Sequence, residues 1–424
     1  MTSGPRSRGP LRAEASGLYR VGLASLAVGL VGVVGLASGC RQQFVIGVVD
    51  SAGSGEGSSS VGGTTVEADG STSSVASGSA GTIASSSSET AVVECEAPPG
   101  HSVCDSDGDP FHALGLDCPS GGPFDTQPLV SSALTSPETN AWRVVREYGN
   151  VAWESTEGGN LLVLTTGVLP APDGSGFLEV PQGVTDAAEG NNGNPDGVSL
   201  PAPISPLPGS MGGAGGSPFS DCDGVGDCSE SLPGPWEAGG PARDLVWMSF
   251  DIDVPAGTYG YQVDLAWFST ELPARYQTAG TDIVVWWQSS EAFTGNVATL
   301  DGAPLTADAL ASWVASQGLL GNVAPMIGTG FDGTTGVPCD LPGASYPDCP
   351  RGASTGWLTL SGPAEPGERM TIVVAVFDLL DDDRDTTILL DRWCWNCDGC
   401  ELGVDCGLES MPEGNRKTAC IDEE

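Results

Sequence analysis

The chain has 424 residues, a formal net charge of −40 and one lysine, Lys417. So acidic a surface repels nucleic acid and anionic headgroups, which argues against nucleic acid as a partner and favours cations. Its two histidines, His101 and His112, precede the main body, so residues 113–424 hold no Ser-His-Asp, Cys-His or His-ligated zinc site of their own.

Residues 1–20 carry Arg6, Arg8, Arg12 and Arg20 against Glu14, and VGLASLAVGLVGVVGLASG (21–39) then leads to Cys40. A basic start, an apolar stretch and small residues before a cysteine predict a lipoprotein signal peptide over 1–39. Cys40 then becomes the lipidated N-terminus of the mature protein. The ending LASGC (36–40) is similar to a bacterial lipobox, with Leu36 one place early. A transmembrane anchor is the alternative, because the stretch nearly spans a bilayer. Its glycines weaken such a helix, and Cys40 has no part in it. Either reading exports the chain to the outer membrane or cell surface, with the membrane as a partner. Residues 40–93 are Ser/Gly-rich, cannot bury a core and predict a disordered tether. About fifty such residues reach about 40 Å.

Thirteen cysteines leave twelve once Cys40 is lipidated. Cys222 with Cys228, and Cys339 with Cys349, flank short loops and are expected to pair locally. Cys95, Cys104 and Cys118 lie in a small Cys/Asp-rich segment, 94–139. Cys394, Cys397, Cys400, Cys406 and Cys420 lie in a Cys-rich acidic tail, 394–424. Both groups are odd, so pairing within the chain requires at least one disulfide between them. The CxxCxxC spacing of 394–400 also suits zinc or an iron–sulfur cluster, but an oxidising compartment favours disulfides. In CDSDGDPFHALGLDC (104–118), Asp105, Asp107 and Asp109 alternate like the start of a calcium loop. Pro110 in place of the turn glycine and Leu116 in place of the last glutamate exclude a complete EF-hand, leaving a weaker calcium turn.

From 140 to 393 apolar residues alternate between turn signals. Strands are expected at 160–166, 245–254, 259–268, 281–288, 356–361, 371–377 and 386–391. Val246, Met248, Phe250, Ile252 and Val254 share one face, as do Tyr259, Tyr261, Val263, Leu265 and Trp267. TIVVAVF (371–377) is apolar on both faces and predicts a covered central strand. TADALASWVASQG (306–318) predicts one helix, with Thr306 as cap and Gly318 as stop. The fold class is all-β: an antiparallel, jelly-roll-like β-sandwich with one short inserted helix and long Gly/Pro loops, especially 170–242.

Within this stretch, TTG (165–167), DLVWMSFDIDVP (244–255), LAWFSTELP (265–273), TDIVVWW (281–287), NVATLDGAPLT (296–306), TGWLTLSGPAEPGERMTIVVAVFD (355–378) and DDDRDTTILLD (381–391) follow a recognisable order and spacing. The body resembles the choice-of-anchor L domain of bacterial surface and secreted proteins. Two departures stand out. The family's Ser-Glu-Glu-aromatic motif is STELP here, leaving Glu271 as the single matching acid, and its Asn-Asp pair is Thr281-Asp282. The resemblance implies a β-rich extracellular module, and it carries over no catalytic residues. In this chain the anchor is an N-terminal lipid.

Asp378, Asp381, Asp382, Asp383 and Asp385 crowd the turn between two expected strands, with Arg384 as the one opposing charge inside it. Carboxylates so close repel one another, and calcium, which takes six to eight oxygen ligands, relieves that repulsion. Glu271 and Asp282 are the candidates to complete the site. A solvated acidic turn is the simpler account. Trp286 and Trp287 are adjacent in a strand and point to opposite faces, either into cores or with one exposed as a binding platform. Two functions follow. One is a non-catalytic, lipid-anchored surface module for adhesion or for binding an extracellular carbohydrate or protein, stabilised by calcium. The other is a carbohydrate-active enzyme or sugar-binding protein, with Glu271 and Asp282 as its paired carboxylates and an exposed Trp.

Overall fold

The computed structural model describes residues 103–411 except 119–127, 136–138, 151–152, 186–193, 195–196, 199, 205–241, 274–275, 277–280, 292, 380–383 and 402–403. The chain divides into two units, Met1–Ser86 and Ser87–Glu424, and the first lies wholly outside the described residues. Cys40, the signal and the tether therefore fall outside them. So do Cys95, Cys222, Cys228, Cys420 and Asp381, Asp382 and Asp383.

The strands, in chain order, begin with β1 (Leu129–Thr135), β2 (Trp142–Val145), β3 (Glu147–Tyr148), β4 (Trp153–Glu154), β5 (Leu161–Thr165) and β6 (Phe177–Leu178). There follow β7 (Ala242–Asp253), β8 (Gly260–Ser269), β9 (Thr281–Ser289), β10 (Thr294–Asn296), β11 (Thr299–Leu300) and β12 (Ala303–Pro304). After the helix α1 (Ala307–Ser316) come β13 (Cys339–Leu341), β14 (Ala344–Tyr346), β15 (Ala353–Pro363), β16 (Arg369–Leu379), β17 (Thr386–Asn396) and β18 (Gly407–Ser410). Two sheets form the sandwich. The smaller runs β1-β7-β16-β9-β10, and the larger runs β12-β11-β18-β15-β8-β17-β5-β2. Neighbours are antiparallel except β11 and β18.

The alternation along each strand assigns its faces. Val246, Met248, Phe250 and Ile252 of β7 meet Tyr261, Val263, Leu265 and Trp267 of β8 in the inter-sheet core. Trp393 centres that core, stacked on Tyr261 at 4.5 Å and edge-on to Phe250 at 5.4 Å. Such pairs add about 0.5–1.5 kcal/mol each beyond area burial. The Tyr261 hydroxyl accepts from Trp286 Nε1 and donates to Gln288 Oε1, both at 3.0 Å, so this buried polar group is satisfied.

Strand β16 is the middle strand of its sheet, as its two apolar faces predict. Ile372, Val374 and Val376 face the inter-sheet core, while Val373, Ala375 and Phe377 face a second cluster with Trp287 and Ile204. The larger sheet is covered on its far side as well, by Tyr148, Trp153, Phe331 and Met326 around Phe268. Helix α1 has the expected cap, Thr306 Oγ1 accepting from Ala309 N at 3.4 Å, and it packs on β15 and β9. Among the described residues no helix is long and apolar enough to cross a membrane.

Several expectations need correction. Tyr259 is not in the core; it precedes β8 and is exposed. Strand β17 does not stop at Asp391 but continues to Asn396 through a bulge at Arg392, which takes φ +54°. The boundaries at 139/140 and 393/394 fall inside the fold. Phe111, Leu114 and Leu116 fill the inter-sheet core, β1 pairs with β7, and β18 of the tail pairs with β15.

Candidate functional site

One end of the sandwich gathers the acids. Antiparallel pairing sets Asp378 of β16 directly opposite Asp282 of β9. On its other side β16 meets a bulge where Asp378 pairs with Arg243, and Asp244, next in the chain, takes φ +49°. A left-handed non-glycine residue costs about 1–3 kcal/mol and often marks a functional position. Asp385 leads into β17, whose Thr386 pairs with Ser269 at the end of β8. Asp244, Glu271, Asp282, Asp378 and Asp385 are all buried, with Asp378 only 2 % exposed.

Their contacts are specific. The Asp378 side chain is hydrogen-bonded to the Asp282 carboxyl. Asp282 Oδ2 accepts from Thr386 Oγ1, and from Ser269 Oγ at 3.5 Å. The same serine oxygen accepts from Glu271 N at 3.0 Å. Asp385 is pinned through its backbone: its N–H donates to Thr270 Oγ1 at 3.1 Å, and its carbonyl accepts from Thr270 N at 3.1 Å. Gly167 leaves room for the Asp385 carboxylate, which a Cβ there would overlap. Thr166 Oγ1, one residue earlier, accepts from Thr386 N at 2.9 Å.

Burial, then the charges of Asp282 and Asp385, hold the Asp378 carboxyl well above the usual carboxylate range. Its Oδ1 is buried with no hydrogen-bond partner among the described residues. Two facing carboxyls joined by a hydrogen bond need a proton or a cation between them. Oxygen-only donors of this kind suit a hard divalent cation. Among the described residues no group of three or more His, Cys, Asp or Glu is arranged to hold a metal ion. Asp381, Asp382 and Asp383 fall outside those residues.

A second buried charged centre was missed in the sequence. Asp391 pairs with Asp264 across β17 and β8. Arg392 grips Asp264 through Nε and Nη2, both at 2.7 Å, and Thr359 Oγ1 donates to the same carboxylate at 3.1 Å. Asp391 accepts from the backbone of Thr156, Glu157 and Arg392 and from Thr156 Oγ1. Lone aspartates inside YQVDLAWF and TTILLDRW were the available signal, because a carboxylate in an apolar strand has to find a partner.

The N-terminal aspartates do not converge. Asp105 Oδ2 accepts from Gly159 N and Asn160 N at 2.7 and 2.6 Å. Asp109 Oδ1 accepts from Phe111 N at 2.8 Å, and Asp107 pairs with His112 Nδ1 at 2.8 Å. Asp107 and Asp109 hold their own turn, while Asp105 holds the backbone at Gly159 and Asn160. Cysteines pair as Cys104–Cys118, Cys339–Cys349 and Cys400–Cys406, and Cys394 and Cys397 are disulfide-bonded as well. That leaves 394–400 no thiolates for zinc or an iron–sulfur cluster. Trp286 and Trp287 are fully buried in different cores, so neither is an exposed platform.

A scan against protein-family models, a search of curated proteins and a search of solved structures find no match to the chain.

Proposed function

We propose that the chain is a non-catalytic, lipid-anchored surface module of the choice-of-anchor L type that binds an extracellular ligand and is stabilised by calcium. The observation that carries this reading is the buried junction of Asp282, Asp378 and Asp385, with an unpartnered Asp378 oxygen at its centre. By sequence, Asp381, Asp382 and Asp383 are candidates for the rest of the ligand set, and Glu271 stands beside the junction. The pieces of sequence that carry the resemblance also meet here. Gly167 of TTG borders Asp385, Ser269 and Glu271 of STELP border Asp282, and Asp378 ends the long apolar strand. A glycosidase needs its two carboxyls across an open cleft. Glu271 and Asp282 are each 1 % exposed, which favours the binding module over the enzyme. The address rests on the basic, apolar and cysteine-ended start of the chain, and the disulfides suit an oxidising compartment.

The test is thermal melting of the full chain in calcium and in a chelator. Calcium should raise the melting temperature by mass action. Identical curves would remove the metal and leave a proton-bridged carboxyl cluster.

A further inference from the structure

Away from the acidic end, strand β15 carries a bulge between Ser354 and Trp357. Gly356 takes φ +79° there, and a Cβ at this position would meet open space. The bulge is fixed from behind. Thr355 Oγ1 accepts from Trp267 N at 3.0 Å, and the Thr355 carbonyl accepts from Trp313 Nε1 at 3.2 Å. In front of the bulge lies a cavity of about 200 Å³ walled by Trp153, Trp357, Leu319, Pro325, Ser354 and Asn322. The two indoles stand 6.0 Å apart with their planes at 58°, forming an aromatic corner. Trp153 is locked in place, its Nε1 donating to the Pro325 carbonyl at 2.6 Å and its ring edge-on to Phe268 at 4.7 Å.

Three features define the occupant. No charged side chain lines the cavity, so an ion of either sign finds no counter-charge there, and the chain's charge of −40 repels anions further; a neutral ligand fits. The walls mix aromatic faces with a few polar groups, as small-molecule sites do. Ser354 brings a hydroxyl. Asn322 uses Oδ1 on Ala324 N at 3.3 Å and keeps its amide donors. Behind the wall, Trp357 Nε1 is buried with no hydrogen-bond partner among the described residues. Third, the volume is below the roughly 300–1,000 Å³ of drug-sized sites, which suits one ring at a time. A saturated ring with hydroxyls meets all three conditions, setting C–H bonds on the electron-rich indole faces and oxygens on the donors. A flat aromatic ring stacks on one wall and leaves the donors unmet.

We infer that this cavity binds a single neutral sugar ring of a glycan, held by Trp153 and Trp357 and oriented by Ser354 and Asn322. This supplies a ligand class for the proposed module, and it does not depend on calcium. The experiment follows the indole N–H signals of the full chain, with ¹⁵N-labelled tryptophan, during titration with methyl glucoside, galactoside and mannoside. Trp153→Phe and Trp357→Phe assign the two signals, while glucuronate and free indole serve as controls. At least one neutral glycoside should move both signals saturably. Glucuronate should bind at least tenfold more weakly, and Asn322→Ala, an exposed change, should weaken the glycoside at least tenfold with the melting temperature unchanged. Titration in chelator should give the same affinity, so a failed calcium test leaves this result readable. The inference is overturned if no glycoside moves the signals, if indole binds more tightly than every glycoside, or if Asn322→Ala has no effect.

Discussion

Asp378→Asn separates the effects of proton and cation at the acidic end. Without metal, the Asp378 carboxyl must hold a proton to face Asp282, and burial keeps it well above the usual carboxylate range. That stabilisation is complete below the unfolded carboxylate pKa of ~3.9 and is lost as pH rises through the raised folded value. Metal-free wild type should therefore melt lower at pH 8 than at pH 5. An amide keeps the shape and donates to Asp282 without needing a proton. The variant should lose this slope and melt above wild type at pH 8 in chelator. In calcium at a hundred times its Kd, wild type gains about 2.7 kcal/mol. For a unit the size of Ser87–Glu424 that is roughly 4 °C. The variant lacks the central ligand and should lose most of the gain, so the two proteins exchange order when calcium is added. Scanning calorimetry at both pH values, with calcium and with chelator, reads all four conditions. A wild type with no calcium shift refutes the metal. A variant less stable than wild type in chelator at pH 8 refutes the carboxyl pair.

Gly167→Ala should push the Asp385 carboxylate out of place, costing about 1–3 kcal/mol by overpacking and reducing the calcium shift; an unchanged shift would show that Asp385 is not a ligand. Arg392→Met strands Asp264, which is fully buried, and should cost about 3–5 kcal/mol. Adding Asp264→Asn should recover part of the loss in denaturant melts, and no recovery would contradict the pairing. With Cys104 and Cys118 joined, Cys95 alone of its group remains to bond the tail, to Cys394, Cys397 or Cys420. Closing so long a loop contributes about 5–6 kcal/mol in the chain-entropy model; non-reducing peptide mapping that finds Cys95 free would break the parity argument. Cys40→Ser should release the protein from membranes or leave an unprocessed precursor, and unchanged fractionation and mass would end the lipoprotein reading.

Where side chains alternate or caps recur locally, the sequence was readable. Thr306 caps its helix, the two apolar faces of 371–377 put that strand in mid-sheet, and Cys339 finds Cys349 ten residues away. What stayed hidden depends on which strands become neighbours. Asp264 and Arg392 lie 128 residues apart and meet only because β8 and β17 pair. Asp378 and Asp282 were both singled out, but their direct opposition follows from the register of β16 on β9. The same pairing logic explains the errors. Local alternation is blind to the bulge at Arg392, and Trp286 and Trp287 read as surface or core until the layers on each side of β9 are known.

The order of assembly carries a consequence for biosynthesis. Strand β16 holds the middle of one sheet and β17 lies between β8 and β5 in the other, yet both come from residues 369–396, after every other strand of these sheets but β18. A nascent chain halted before residue 369 has no template to join β7 to β9, or β8 to β5. Neither sheet can close until residues 369–396 have been made, because the pairings that close them are long-range. The closing of both sheets thereby waits on this one segment, whatever has been made before it.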